Sequence, residues 1–591
     1  MERVVGWADR HWRWVVALAF VATCAWLLYQ RWGGINAFAL GDTDDNMRMM
    51  EVRAWLNGQG WYDLRQYRLS PPTGANIHWS RIVDLPIAAI IVVGRWFVSG
   101  ATAEKAAIAI APLIPYSLLM ASLALVTRRL VAPAAFLAAL LGLFFAGSTN
   151  GMFVPTRIDH HNWQLALLAL SMAGLADPRP QRGGMVLGIS TAISLAIGLE
   201  MIIYLAIAGM AVVLFWVHRQ DEERERLASY AVALAGGTAI GFAAFASYAN
   251  RAPVCDALSP VWLSDAVIAG VLMFGLSRLR SERRTIRLGA AVAAGLVIAA
   301  FHALMWPHCL QRLEGVSPEV DQLWLSHVRE ARPFYKQDRQ IAWLIMAMPA
   351  TGCVGYALLA WFRRNDPALL SRVLACAAIC VVATLLLFWQ TRAGPAAQLL
   401  AIPGGAAIIA LLAPRAFKSK NTAVVVLGTS AALLIGAGAA IPAVIDQIPK
   451  KTTSPRERQI NRANGSCNSM AAMHPVALQP AGTVMTFVDL APRLIAVTHH
   501  SSIAGPYHRN GPAILDAQHF FRNSEAEAHE IARRTHSDYV LICPNMSQST
   551  IYAAETPKGF YMQLAAGKVP AWLQPIDLGK DWPMKMWKVV G

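Results

Sequence analysis

Apolar positions along the first three quarters of the chain come in long unbroken runs rather than in stripes of helical or strand period, and after about residue 446 that pattern stops. Runs of this length predict membrane-spanning helices. About thirteen are expected, at 12–30, 104–127, 131–147, 163–176, 184–199, 201–217, 228–248, 263–277, 288–305, 340–362, 373–390, 396–413 and 422–444. The first, "HWRWVVALAFVATCAWLLYQRW", has aromatic and basic flanks and no small-residue cleavage site, so it reads as a retained helix rather than a signal peptide. The stretch "LPIAAIIVVGRWFVSG" at 85–100 carries Arg95 and Trp96 in its middle and is expected to lie at the interface. Beyond 446, strand-like "TVMTFVDL" and "DYVLICP" flank a helix-like "SEAEAHEIARR", the pattern of a small soluble α/β domain. The chain thus divides into a mainly α, polytopic membrane domain over 1–446 and a soluble domain over 447–591.

Composition agrees: of 591 residues, 55% are hydrophobic and 15% charged, with a mean hydropathy of +0.40, which excludes a soluble globular protein. The net charge of +16 raises the question of nucleic acid. Its Arg and Lys, however, cluster in alternate junctions: "TRRL", "DPRPQRGG", "HRQDEERER", "SRLRSERRTIR", "FRRNDPALLSR" and "PRAFKSK". That is the distribution of cytoplasmic loops facing anionic lipid, and no nucleic-acid partner is expected. The amino terminus is then inside, and loops 31–103, 148–162 and 306–339 and the 447–591 domain lie outside, as in a bacterial inner membrane with a periplasmic domain. Cys24, Cys353, Cys376 and Cys380 fall in spans, while Cys255, Cys309, Cys467 and Cys543 fall outside, where Cys255–Cys309 and Cys467–Cys543 are the natural pairs.

This topology gathers polar residues on one face. The first loop has "GDTDDNMRMME", with Asp42, Asp44 and Asp45; the second has "RIDHH", with Arg157, Asp159, His160 and His161. The 306–339 loop contributes "HVREARP" with Glu330, the turn after the eleventh span "QTRAG" with Arg392, and a helix end Glu200. Singly each has a plainer reading, since Asp42 or Asp44 could cap the helix that follows. Together, oxygen ligands from several loops suit a divalent cation such as Mg²⁺ or Mn²⁺, with histidine favouring the latter. An arginine at the membrane boundary suits the phosphate of a lipid.

The ordering of these motifs resembles the catalytic subunits of oligosaccharyltransferases, in the GT-C superfamily of membrane glycosyltransferases. The resemblance rests on "DDNMRMMEVR" with the later "PPTG" in the first loop, "GMFVPTRIDHH" in the second, "HVREARP" between spans nine and ten, and "QTRAGPAAQLLAIPGGAA" after span eleven. It implies the GT-C fold with an external carboxy-terminal domain, and transfer of a sugar or oligosaccharide from a polyprenyl-phosphate or -pyrophosphate donor. It implies an essential aspartate, Asp45 before Asp44 and Asp42, that orients or deprotonates the acceptor. It further implies a metal held by Asp45, Asp159 and Glu330 with help from His160 and His161, and donor phosphate on Arg392 and Arg157. The W-W-D-Y-G motif that reads the N-glycosylation sequon is absent; "TFVDLAP" keeps only Asp489 as a counterpart. The acceptor is therefore a glycan, a lipid or another protein site, and His500, Tyr507, His508 and Arg509 in "HHSSIAGPYHRN" are the residues expected to face it. A monosaccharide transferase acting on lipid or polysaccharide is the nearest alternative. A flippase would instead place its ionisable residues at mid-membrane, and a non-catalytic scaffold would not depend on Asp45 or Asp159.

Overall fold

In lipid a backbone must satisfy its own hydrogen bonds, so an apolar run of this length has little choice but helix. Every predicted span is centred on helix in the computed structural model, which describes residues 2–447 and 453–590. Eight helices are long and apolar enough to cross a membrane: Trp12–Asn36, Gly100–Leu130, Gln220–Phe245, Pro260–Arg278, Arg284–Met305, Arg339–Phe362, Pro367–Leu386 and Thr391–Phe417. Pro133–Phe145, Ile202–His218 and Val424–Gly436 are apolar but shorter, so thirteen crossings stay an expectation. His161–Leu175 and Pro180–Ile197 are shorter or more polar because they run through the middle of the bundle, where Asn162, Gln164, Ser171, Ser190 and Ser194 are buried among other helices. Backbones approach closely there through glycine: a Cβ on Gly188 would lie 2.5 Å from the Cβ of Ala233 on the Gln220–Phe245 helix.

The 85–100 stretch forms the helix Arg81–Gly94, whose 14 residues reach about 21 Å, short of a hydrocarbon core. Trp96 and Phe97 follow it fully in the open, at 73% and 79% exposure.

The carboxy-terminal part folds around a five-stranded sheet in the order Ser501–Ser502, Thr483–Met485, Tyr539–Ile542, Lys585–Val589, Leu573–Ile576, the first three parallel and the last two added antiparallel. Phe487, Phe520, Phe521, Tyr552 and Phe560 fill its core. Both expected disulfides form, Cys255–Cys309 and Cys467–Cys543. The expected boundary at 446/447 falls at the end of the Ala440–Gln447 helix, next to residues outside the described ones.

The first long loop binds this domain directly. Leu69 bridges Ser502 beside the sheet edge, Ser70 N–H donates to Ser502 O (2.8 Å) and Ser502 N–H to Arg68 O (2.9 Å). Arg68 donates to Thr498 O at 2.7 Å, Arg53 to Ala496 O at 2.6 Å and Arg493 back to Phe38 O at 2.8 Å. Between the helix ends, these loops and the domain lies a cavity of about 1730 Å³.

Candidate functional site

The helix Thr43–Leu56 starts at the cavity, and its aspartates divide the labour. Asp42 is the N-cap: its Oδ1 accepts from the N–H of Asp44 and Asp45 at 3.0 and 3.2 Å, and Asp45 Oδ2 accepts from Asp42 N–H at 3.0 Å, closing a capping box. Asp45 points inward and is fully buried; its Oδ1 accepts from the N–H of Ile158 and Asp159 at 2.6 and 3.0 Å, tying the first loop to the second. Asp45, expected as the acceptor-facing base and metal ligand, therefore does not line the cavity, because backbone donors take both its oxygens. Asp44 does line it, and among the described residues its carboxylate accepts no hydrogen bond. Burial, with the negative charges of Asp42 and Asp159 beside it, pushes Asp44 up to about 8.

The second loop meets the first through Arg157. Its guanidinium donates to Asp42 Oδ2, sits 3.2 Å from Asp45 Oδ2 and donates to Asp159 Oδ2 at 2.5 Å. Asp159 is fully buried behind the cavity wall and also accepts from His161 N–H at 2.9 Å, with His161 Nδ1 at 3.2 Å. Burial alone would raise Asp159; Arg157 and His161 outweigh it and hold it well below the usual carboxylate range. Conversely, Asp159 overcomes the burial of His161 and lifts it to about 10. His160 Nε2 lies 2.9 Å from Glu200 Oε1, and Gln164 donates to Glu200 Oε2 at 2.9 Å. Arg48 lies 3.5 Å from His160 Nδ1 and can only donate, which assigns the Nε2–H tautomer donating to Glu200. Burial lowers His160. Burial would raise Glu200, but the His160 contact holds it ionised.

Behind this face stands a network that sequence reading missed. Arg48 pairs with Asp84 at 2.8 Å, Arg81 with Asp84 at 3.0 Å and Glu51 at 3.7 Å, all at 0% side-chain exposure. Arg48 also stacks on Trp79, 4.3 Å from the ring centroid. The available signal was spacing: Asp44, Arg48 and Glu51 stand four and three residues apart, one face of one helix.

The remaining walls come from farther along. Glu330 and Arg392 both line the cavity and are joined through Thr391, whose N–H donates to Arg332 O at 2.9 Å and whose Oγ1 donates to Glu330 O at 3.2 Å. Arg392 is 40% exposed, with Glu314 its nearest carboxylate at 3.9 Å. From the carboxy-terminal domain, Asp489, Tyr507 and His508 line the cavity. Burial pushes Asp489 up to about 6, and Tyr507 OH donates to Thr43 O at 3.1 Å. Arg509 instead forks onto Asp256 at 2.6 and 2.7 Å, with His508 Nε2 also 2.6 Å from that carboxylate. His500 is turned into its own domain, 2.9 Å from Val476 O and fully buried, so it does not face the cavity. The structure thus brings Asp42, Asp44, Arg157, His160, His161, Glu200, Glu330, Arg392, Asp489, Tyr507 and His508 to one cavity, keeps Asp45 and Asp159 just behind its wall, and leaves His500 and Arg509 to structural contacts.

For a cation, the donor set near the expected one is Asp42, Asp44 and Asp159, whose ligand atoms lie within 4.8 Å of one another. Neither Asp45 nor Glu330 belongs to it. Two of the three, Asp42 and Asp159, already hold Arg157.

No protein-family model matches the chain, and no curated protein sequence does. Among solved structures, the archaeal oligosaccharyltransferase AglB from Archaeoglobus fulgidus, in complex with an inhibitory peptide and a dolichol-phosphate, superposes with a TM-score of 0.67 at 14% identity, over 96% of this chain and 73% of that one. The Archaeoglobus fulgidus oligosaccharyltransferase in complex with Zn and sulfate gives 0.56 at 14%, over 85% and 64%. ArnT from Cupriavidus metallidurans, bound to undecaprenyl phosphate, gives 0.41 at 13% over 97% of both chains, and nothing further rests on that match. At these identities the likeness speaks for architecture alone: the chain has the fold of these oligosaccharyltransferase structures, the GT-C fold.

Proposed function

We propose that this protein is a membrane glycosyltransferase that moves a sugar or oligosaccharide from a polyprenyl-phosphate or -pyrophosphate donor to an acceptor at the end of the helix bundle that bears the carboxy-terminal domain. The observation that carries this reading is Asp44: an unpaired carboxylate, raised to about 8, at the edge of a cavity whose other side presents the exposed cation Arg392. A base poised near working pH and a cation free to meet a phosphate are what displacement at an anomeric carbon needs. In that step the acceptor heteroatom bonds to the anomeric carbon, the carbon–oxygen bond to phosphate breaks, and Asp44 takes the acceptor's proton. The dolichol-phosphate in the complex of the archaeal oligosaccharyltransferase of similar fold supports this reading.

An apolar flank of Ile341, Ile345, Leu386 and Trp389 offers the polyprenyl chain a seat beside Arg392. Tyr507, His508 and Asp489 are in place to meet the acceptor from the other side. Without the sequon-reading motif the acceptor is a glycan, a lipid or a protein site other than the sequon. Should Mg²⁺ or Mn²⁺ take part, Asp42, Asp44 and Asp159 are its ligands, in competition with Arg157. Both disulfides lie in loops and the domain at this same end, while the free cysteines sit in spans, which supports an oxidising compartment on that side, as in a periplasm.

The test is a donor-swap assay on purified protein with a radiolabelled polyprenyl-phosphate sugar and a polyprenyl-pyrophosphate oligosaccharide. Transfer from either, lost in Asp44→Asn and Arg392→Ala, is the expected result. Transfer confined to the monophosphate donor would select the monosaccharide reading; transfer from neither would reject the proposal.

A further inference from the structure

We infer that Arg157 occupies the seat of the divalent cation, so that the carboxylate cluster is neutralised by the chain itself. This rests on the proposed transferase reading and sharpens what that site requires. Two of the three possible ligands, Asp42 and Asp159, each give Arg157 a carboxylate oxygen, and the adjacent Asp45 adds a third contact. A guanidinium holding three carboxylates is a cation in the middle of the cluster, and a divalent cation seated there would meet its repulsion at close range.

The local backbone is built to hold Arg157 there. Gly41 lies directly beneath it: a Cβ at 41 would stand 2.5 Å from Arg157 Cδ and 2.6 Å from Asp45 Oδ2. Thr156, immediately before it, is buried at 2% exposure with φ of +84°, a conformation a β-branched residue avoids. Such a residue persists only where its surroundings fix it. Here Thr156 N–H donates to Ile108 O at 2.8 Å and its carbonyl accepts from Gly41 N–H at 3.2 Å. Residues 41 and 156 are thus clamped to each other, which places the arginine over the aspartates. Arg157 has little left for a ligand: one terminal nitrogen serves Asp42 and Asp45, the other Asp159 and the Met152 sulfur at 3.6 Å, and its Nε is buried without a partner. Its part is charge rather than direct phosphate binding, and Arg392, 40% exposed with its nearest carboxylate at 3.9 Å, is better placed to meet a phosphate. Asp44 alone of the cluster keeps an unengaged carboxylate.

The experiment is Mn²⁺ titration followed by electron paramagnetic resonance on chelator-treated protein in detergent, with sugar transfer measured in parallel. Wild type is expected to take up no stoichiometric Mn²⁺ at millimolar metal and to transfer sugar within about twofold of the same rate with EDTA or with Mn²⁺. Arg157→Met is expected to gain a site at least about tenfold tighter than any in wild type, lost again in Arg157→Met/Asp159→Asn. Stoichiometric wild-type binding that Asp159→Asn abolishes would overturn the inference. So would transfer that EDTA stops and Mn²⁺ restores, or an Arg157→Met protein that melts cooperatively yet binds no metal. If Arg157→Met does not fold, the wild-type titration decides alone. A chain that transfers no sugar under any condition refutes the functional reading, while the titration still answers for Arg157.

Discussion

One helix, Thr43–Leu56, carries two clusters of charge that the fold treats in opposite ways. At its second and third turns Arg48 and Glu51 meet Arg81 and Asp84 out of all contact with solvent, each charge matched by another. One turn earlier, Asp42, Asp44 and Asp45 stand at a cavity edge, two engaged and one left over. In the closed cluster Arg48, Arg81 and Asp84 hold one another by hydrogen-bonded ion pairs, while Glu51 stands 3.7 Å from Arg81 and accepts no hydrogen bond; the open one leaves the Asp44 carboxylate at the cavity edge with neither a hydrogen bond nor an ion pair among the described residues. The paired charges stand behind the cavity edge, and Arg48, at 3.5 Å from His160, connects them to the second loop.

The comparison can be broken at several points. The largest effect is expected at the open edge: Asp44→Asn should cut sugar transfer by about 10²–10⁴-fold while leaving the melting temperature no lower. A loss under about tenfold would mean that the unpaired carboxylate is idle. The closed cluster should fail in the opposite sense. Arg48→Met removes one of the two cations that meet buried Asp84, leaving Arg81 to hold it alone, and should cost about 3–5 kcal/mol in denaturant unfolding.

Both clusters should respond to pH, since burial pushes Glu51 of the closed one up to about 8 as well. Because the folded state raises Asp44 to about 8, it keeps a proton that the unfolded chain releases, so this group makes stability fall as pH rises from the ordinary carboxylate range towards 8. Asp44→Asn should remove the Asp44 share of that slope and leave the share of Glu51, and the wild-type transfer rate should climb through the same upper limit as the base is freed. A rate that stays flat from roughly pH 6 to 9 would exclude Asp44 as the base. Smaller effects belong to the residues that only hold the edge in place. Asp42→Ala should cost about 0.5–2 kcal/mol as a lost helix cap, and Tyr507→Phe about 0.5–1.5 kcal/mol as a lost bond to Thr43 O.

The membrane architecture was legible because span length and loop charge are physical necessities that leave long, redundant traces, and the disulfide pairs followed from the resulting sidedness. The gathering of Asp44, Arg157, Glu330 and Arg392 at one cavity followed from it too. What did not come through was direction. "DTDD" has the capping-box spacing at Asp42 and Asp45, which argues for a structural Asp45, but the same residues also fit a ligand loop, and only the backbone decides which carboxylate turns inward. The Arg48–Asp84 pair was invisible because its partners lie 36 residues apart. His500 and Tyr507 stand seven positions apart in a stretch dense with polar groups, and nothing local says that the first faces its own domain and the second the cavity.

The contact between the first loop and the carboxy-terminal domain also sets an order of events during synthesis. Arg68 and Thr498 are 430 residues apart, so at roughly 5–20 residues per second the ribosome needs about twenty to ninety seconds to deliver the second partner. Until then the loop that presents Asp44 lacks the wall that completes the cavity. The nascent chain can enter the membrane with this edge of the cavity unformed, and a chain cut short before Thr498 lacks the wall that Thr498 and the strands after it supply.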